Sequence, residues 1–133
     1  MNKESLYKLG CFARDGKGRC MNMAEAIYFL KKSAELGYHP AQNALAYLYA
    51  ENDRNLSQAL ILAEKALKQQ ENASYLDTMG WVQYKLGHIH TAKAFLDKAI
   101  ELSPNDPIIK KHMEMATQKH AVVSKNSSAG KSD

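Results

Sequence analysis

Valine and threonine, two of the residues that best suit a strand, are scarce in this chain of 133 residues: they occur three times each, against eighteen alanines. β-Branched side chains suit the pleated strand and alanine is the best helix former, so a sheet is excluded as the main architecture and an all-helical fold is expected. Long apolar runs are missing too. Without about 18 consecutive apolar residues no membrane-spanning helix is expected. The first ten residues carry Lys3, Glu4 and Lys8 where a secretory segment needs an apolar stretch. Leu9-Gly10-Cys11 has the look of a lipoprotein signal ending, but the hydrophobic region that must precede it is not there. Cysteine is scarce: Cys11 and Cys20 are too few for a disulfide framework. A reducing, cytoplasmic location is therefore expected, with a single Cys11–Cys20 bridge as the alternative.

Concentrated charge is also lacking. The net charge of +4 is spread as seven basic and four acidic residues over 1–50, six and seven over 51–104, and five and three over 105–133. A nucleic-acid binder gathers lysine and arginine on one face, so nucleic acid is not the expected partner.

The chain does contain an internal repeat. Leu9-Gly10, Leu45-Ala46 and Met79-Gly80 each pair an apolar residue with a small one, and the small residues are 36 and then 34 positions apart. Behind each lies a second helical pattern marked by Ala26, Ala59 and Ala92, at successive spacings of 33. Three helical hairpins follow, over about 3–38, 39–72 and 73–106, with a closing helix at 107–119. Helices are expected at 2–14, 23–36, 41–51, 57–70, 73–86, 90–102 and 107–119. They form one domain over 1–120, followed by a small, polar, disordered tail at 121–133.

The punctuation agrees. Asn22 with Glu25 makes a cap-like pair before the second helix, and Gly37 ends that helix where a left-handed residue is wanted. Leu56, Ser57 and Ile61 take the staple and cap positions of the fourth. Ser103-Pro104 cannot continue a helix, Asp106 can cap the next, and Pro107 suits its first turn. Glycine inside a helix costs about 1 kcal/mol relative to alanine, so Gly80 predicts a neighbouring helix too close for a side chain. Ala92 and Ala99 supply the matching small surface, with Leu76, Met79, Phe95, Leu96 and Leu102 as the surrounding core. The last helix has Ile109, Met113 and Ala116 on one face to cover the third hairpin. His112 and His120 are expected on its surface.

These residues carry a resemblance. The stretch YLDTMGWVQYKLGHIHTAKAFLDKAIELSPNDP resembles a tetratricopeptide repeat through Leu76, Gly80, Tyr84, Gly87, Ala92, Leu96, Ala99 and Pro104, in that order. The first hairpin is similar to the loop-extended Sel-one-like repeat through Gly10, Gly16, Gly18, Ala26, Ala34, Gly37 and Ala41-Gln42. There Arg19-Cys20 replaces the usual valine region and Asn22 the usual aspartate. The middle hairpin is a hybrid, with Ala46 in place of glycine. Together the matches span about residues 4–105. The resemblance implies a right-handed superhelical stack of three hairpins plus a capping helix. It further implies a noncatalytic protein–protein interaction scaffold that takes a peptide or partner protein in a concave groove, with no cofactor. The terminal-carboxylate clamp of that family needs basic residues where this chain has Ser74 and Thr78, which argues against that ligand mode.

In such a stack the first helix of each hairpin lines the concave side. The residues placed there are Cys11, Tyr47 and Trp81, flanked one turn away by Tyr7, Asn43 and Asp77 and by Arg14, Ala50 and Tyr84. Two readings of Trp81 and Tyr47 stay open: anchors for a peptide, since buried aromatics carry much of the energy in such contacts, or packing between hairpins. Two further readings are self-association, because solenoid ends expose apolar faces unless capped, and weak nucleic-acid binding through the basic ends.

Sharper chemistry finds little support in the residues. His88 and His90 in GHIH lack a third ligand, and zinc normally takes three or four from the protein, so no metal site is expected. In GCFARDGKG the glycines are one residue too far apart for a phosphate loop, and Gly130-Lys131-Ser132 lacks the first glycine of that motif. Cys11 has no evident histidine and orienting group beside it, so no nucleophile is assigned and no enzyme activity expected.

Overall fold

The computed structural model describes residues 2–15 and 23–131, with side chains described over 2–11 and 23–119. Among these residues the chain forms seven α-helices: α1 (Lys3–Asp15), α2 (Met23–Glu35), α3 (His39–Glu51), α4 (Leu56–Gln69), α5 (Ala73–Lys85), α6 (Ile89–Leu102) and α7 (Pro107–Lys131). No strand occurs among them. They belong to two compact units, Met1–Gln70 and Glu71–Asp133.

In the first unit α2 packs against both α1 and α3, and α3 packs against α4. The joint of the first hairpin is Gly10. A Cβ built there would lie 2.7 Å from Leu30 Cγ and 3.2 Å from the Leu30 backbone nitrogen, so only glycine admits the completely buried Leu30 at this distance. Ser33, also fully buried, donates its hydroxyl hydrogen to the Lys3 carbonyl at 2.6 Å and ties α2 to the start of α1. At Gly37 the backbone turns through φ +86°, and the Tyr38 N–H reaches back to the Ser33 carbonyl at 3.4 Å; this is the left-handed ending expected from the sequence. On α4 the small residues Ala59, Ala63 and Ala66 form a buried stripe at helical spacing, which lets α3 approach closely.

The second unit repeats the device. A Cβ on Gly80 would meet Leu96 Cγ at 2.8 Å and the Ala92 carbonyl oxygen at 3.2 Å, so α5 and α6 touch nearly backbone to backbone. Ala92, Leu96 and Ala99 are all fully buried along α6. Gly87, at φ +89°, closes α5, and the His88 N–H donates to the Gln83 carbonyl at 2.9 Å. Asp106 caps α7 as expected: its Oδ1 accepts from the N–H groups of Ile108 at 2.9 Å and Ile109 at 3.4 Å. Ile109 and Ala116 of α7 are buried and Met113 partly so.

Several expectations are corrected. Leu102 is 60% exposed rather than in the core, because it ends α6 and stands off the Ala92–Leu96–Ala99 line; Phe95 is half-buried beside that line. The N-cap of α4 is Asn55, not Ser57; it lies in the left-handed region at φ +50° and makes no capping bond through its side chain. Helix α3 starts at His39 rather than 41, since Pro40 needs no N–H partner in a first turn. Helix α7, expected to stop at 119, runs to Lys131: no proline interrupts 120–131, and a formed helix propagates until something stops it. The cap-like pair at Asn22 lies outside the described residues.

Candidate functional site

On α1 and α3 the residues assigned to the inner face are half-exposed: Tyr7, Cys11, Asn43 and Tyr47. Tyr7 and Asn43 stand about 60° around their helices from the buried joint residues Gly10 and Ala46, and Cys11 and Tyr47 about 100° from them, so all four flank the joint at the edge of the buried face. Tyr7 meets Tyr38 edge to face, with centroids 5.5 Å apart and planes at 72°. The Asn43 side-chain oxygen is buried, and among the described residues nothing donates to it. Such an orphan acceptor costs about 1–3 kcal/mol of desolvation. Ala50, one turn beyond Tyr47 and expected beside it on the inner face, is fully buried. The side chain of Arg14 and all of Cys20 lie outside the described residues.

On α5 the pattern differs. Asp77 is 6% exposed and Trp81 4%, while Tyr84 keeps an open edge. What covers them is α7. His112 Nδ1 lies 2.8 Å from Asp77 Oδ1; an ionised carboxylate only accepts, so the imidazole N–H donates, and both partners are buried. The imidazole also stacks on the Trp81 indole with centroids 4.0 Å apart and planes at 17°. The indole in turn stacks on Tyr84 at 5.0 Å and 7°. Lys85 Nζ sits 5.1 Å from the Trp81 centroid and Lys119 Nζ 5.2 Å from that of Tyr84, within the range of cation–π attraction. A cleft of about 260 Å³ opens beside this stack between Tyr84 of α5 and Met115, Gln118 and Lys119 of α7.

His112 was expected on the surface and is 5% exposed. Its spacing held the signal: Ile109, His112 and Ala116 recur at three and four residues, so a histidine there shares the apolar face and needs a buried partner. That partner, Asp77, lies 35 positions away and has no local mark.

Of the histidines of GHIH, expected together in a hairpin turn, His88 stands at the N-cap of α6 and His90 lies in the first turn of that helix. His88 Nδ1 lies 2.7 Å from the Gln83 amide oxygen, and His90 is exposed. Among the described residues no group of three or more histidines, cysteines or carboxylates is placed to hold a metal ion. No helix among them is long and apolar enough to cross a membrane.

Neither a family model nor a curated protein matches the sequence. Solved structures do match the fold. The first tetratricopeptide-repeat domain of the human RPAP3 protein superposes with a TM-score of 0.75 at 21% identity, covering 95% of this chain and 96% of that one. The tetratricopeptide-repeat domain of Arabidopsis OM64 gives 0.73 at 19% identity, covering 87% and 94%.

Proposed function

We propose, from the premise of a tetratricopeptide-type helical-repeat fold, that this chain is a noncatalytic scaffold holding a peptide or partner protein on the first helices of its hairpins. In the first unit the contact is made by Tyr7, Cys11, Asn43 and Tyr47, with Arg14 from the end of α1; in the second it is made by the edge of Tyr84. Asp77 and Trp81 support that edge from beneath α7.

The buried, unbonded side-chain oxygen of Asn43 carries this reading. An unsatisfied acceptor lowers stability, and a partner whose docking turns the Asn43 amide outward to meet an N–H recovers that loss. The half-exposed tyrosines beside it are the residue type most used as interface anchors.

Affinity capture with the intact chain, run beside Asn43→Leu and Tyr47→Ala, tests it. Asn43→Leu removes the orphan acceptor and is expected to raise the melting temperature while weakening capture. Tyr47→Ala is expected to weaken capture by about 2 kcal/mol or more with the fold retained. If both variants capture the same proteins as the wild type, to the same extent, the reading fails.

A further inference from the structure

The surface shared by α5 and the outer edge of α7 has a chemistry of its own. By helical spacing Ile108, Lys111, Met115 and Lys119 follow one another along α7, beside the row that buries His112. Ile108 is 56% exposed, Lys111 and Lys119 are exposed and Met115 is half-exposed. Apolar and cationic side chains therefore alternate over a strip of about 16 Å. The cleft between Tyr84, Met115, Gln118 and Lys119 lies at its far end, with Lys85 near the same aromatic stack.

Among the described residues neither Lys111 nor Lys119 is held in an ion pair with a carboxylate. Asp77 is turned inward and bound to His112. Glu114 is rotated about 100° from Met115 and flanks Lys111 alone, not Lys119. Single-stranded nucleic acid would need an open ring face on which to stack a base. The Trp81 indole is covered by His112 and Tyr84, and Tyr84 already stacks on the indole and carries Lys119 over its ring. A peptide needs no open ring face. An extended chain sends every second side chain to one side at about 6–7 Å intervals, close to the step between successive members of the strip.

We infer that the α5–α7 strip of Ile108, Lys111, Met115, Lys119 and Tyr84 binds an extended acidic peptide whose facing side chains alternate between large apolar residues and carboxylates. This deepens the scaffold reading and rests on it.

The probe is a fluorescein-labelled heptapeptide, Leu-Ser-Glu-Ser-Leu-Ser-Glu, titrated with the full chain and followed by anisotropy at about 150 mM salt, where weak non-specific charge contacts are screened. Three controls accompany it: the same peptide with lysine for glutamate, the same with serine for leucine, and a single-stranded heptathymidylate. The acidic–apolar peptide is expected to bind at least tenfold more tightly than each control. Lys111→Glu with Lys119→Glu, both at exposed positions, should reverse the preference so that the lysine peptide binds more tightly; an unchanged circular-dichroism melt shows that the fold survives. The inference is overturned by no binding of the acidic peptide up to millimolar concentration, by equal binding of any control, by tighter binding of the oligonucleotide, or by a preference that the charge reversal leaves unchanged. A partner whose capture is lost with Asn43→Leu and Tyr47→Ala but kept with the double lysine variant leaves the scaffold reading standing and removes this one.

Discussion

At the scale of single residues, the joint glycines and the His112–Asp77 pair set the geometry of everything near them. Replacing Gly80 by alanine gains helix propensity of about 1 kcal/mol, yet places a methyl group 2.8 Å from Leu96 Cγ and 3.2 Å from a backbone oxygen that cannot rotate away. Overpacking of this kind costs about 1–3 kcal/mol, so Gly80→Ala is expected to be destabilising on balance and to lower the thermal midpoint. A midpoint at or above that of the wild type would remove the close helix contact from the account. His112→Ala strips Asp77 of its buried partner and Trp81 of its stacking ring, and is expected to cost about 3 kcal/mol. Trp81 is the only tryptophan, so its emission should shift to the red as water reaches the indole. The double variant Asp77→Leu with His112→Leu should be less damaging than either single change, because it leaves no buried polar group behind. Additive losses would mean that the two side chains do not act as a pair.

At the scale of elements, α7 closes the second unit through contacts made by its first half. Ile109, His112 and Ala116 are buried against that unit, and Asp106 caps the helix start. Removing 121–133 should therefore change the melting temperature little. Removing 106–133 strips the cover from Trp81 and Asp77; the melting temperature should fall by several degrees and the chain should associate, as seen by light scattering. Equal melting curves for the two truncations would show that α7 contributes nothing to the unit. The order of elements was legible before any coordinates: all seven helices fall within two residues of their expected starts. Helix ends were less so. The left-handed Asn55 before α4 and the continuation of α7 both depend on local backbone choices that side-chain patterns mark weakly.

At the scale of the whole molecule, the sequence by itself determined the all-helical repeat. Alanine and glycine recur at hairpin spacing, apolar residues recur at helical spacing, and Gly37 and Gly87 stand where a left-handed turn is required. These are local or periodic signals, and each is written within a few residues of where it acts. The likeness to tetratricopeptide-repeat domains of known structure agrees with that reading at 19–21% identity, because the repeat asks for size and polarity at a handful of positions and leaves the rest free. Only the tertiary structure decided the exposure of the residues expected on an inner face. Tyr7, Cys11, Asn43, Tyr47 and Tyr84 remain accessible, whereas Asp77 and Trp81 are sealed by a helix that begins 26 residues after Trp81 in the sequence. No pattern around Trp81 announces that cover, since burial by a distant element depends on how two helices cross, and a tryptophan suits an open anchor and a packed core equally well. The pairing of His112 with Asp77 was hidden for the same reason: a buried polar side chain must find a partner, but the chain codes each partner separately and only folding brings them to 2.8 Å.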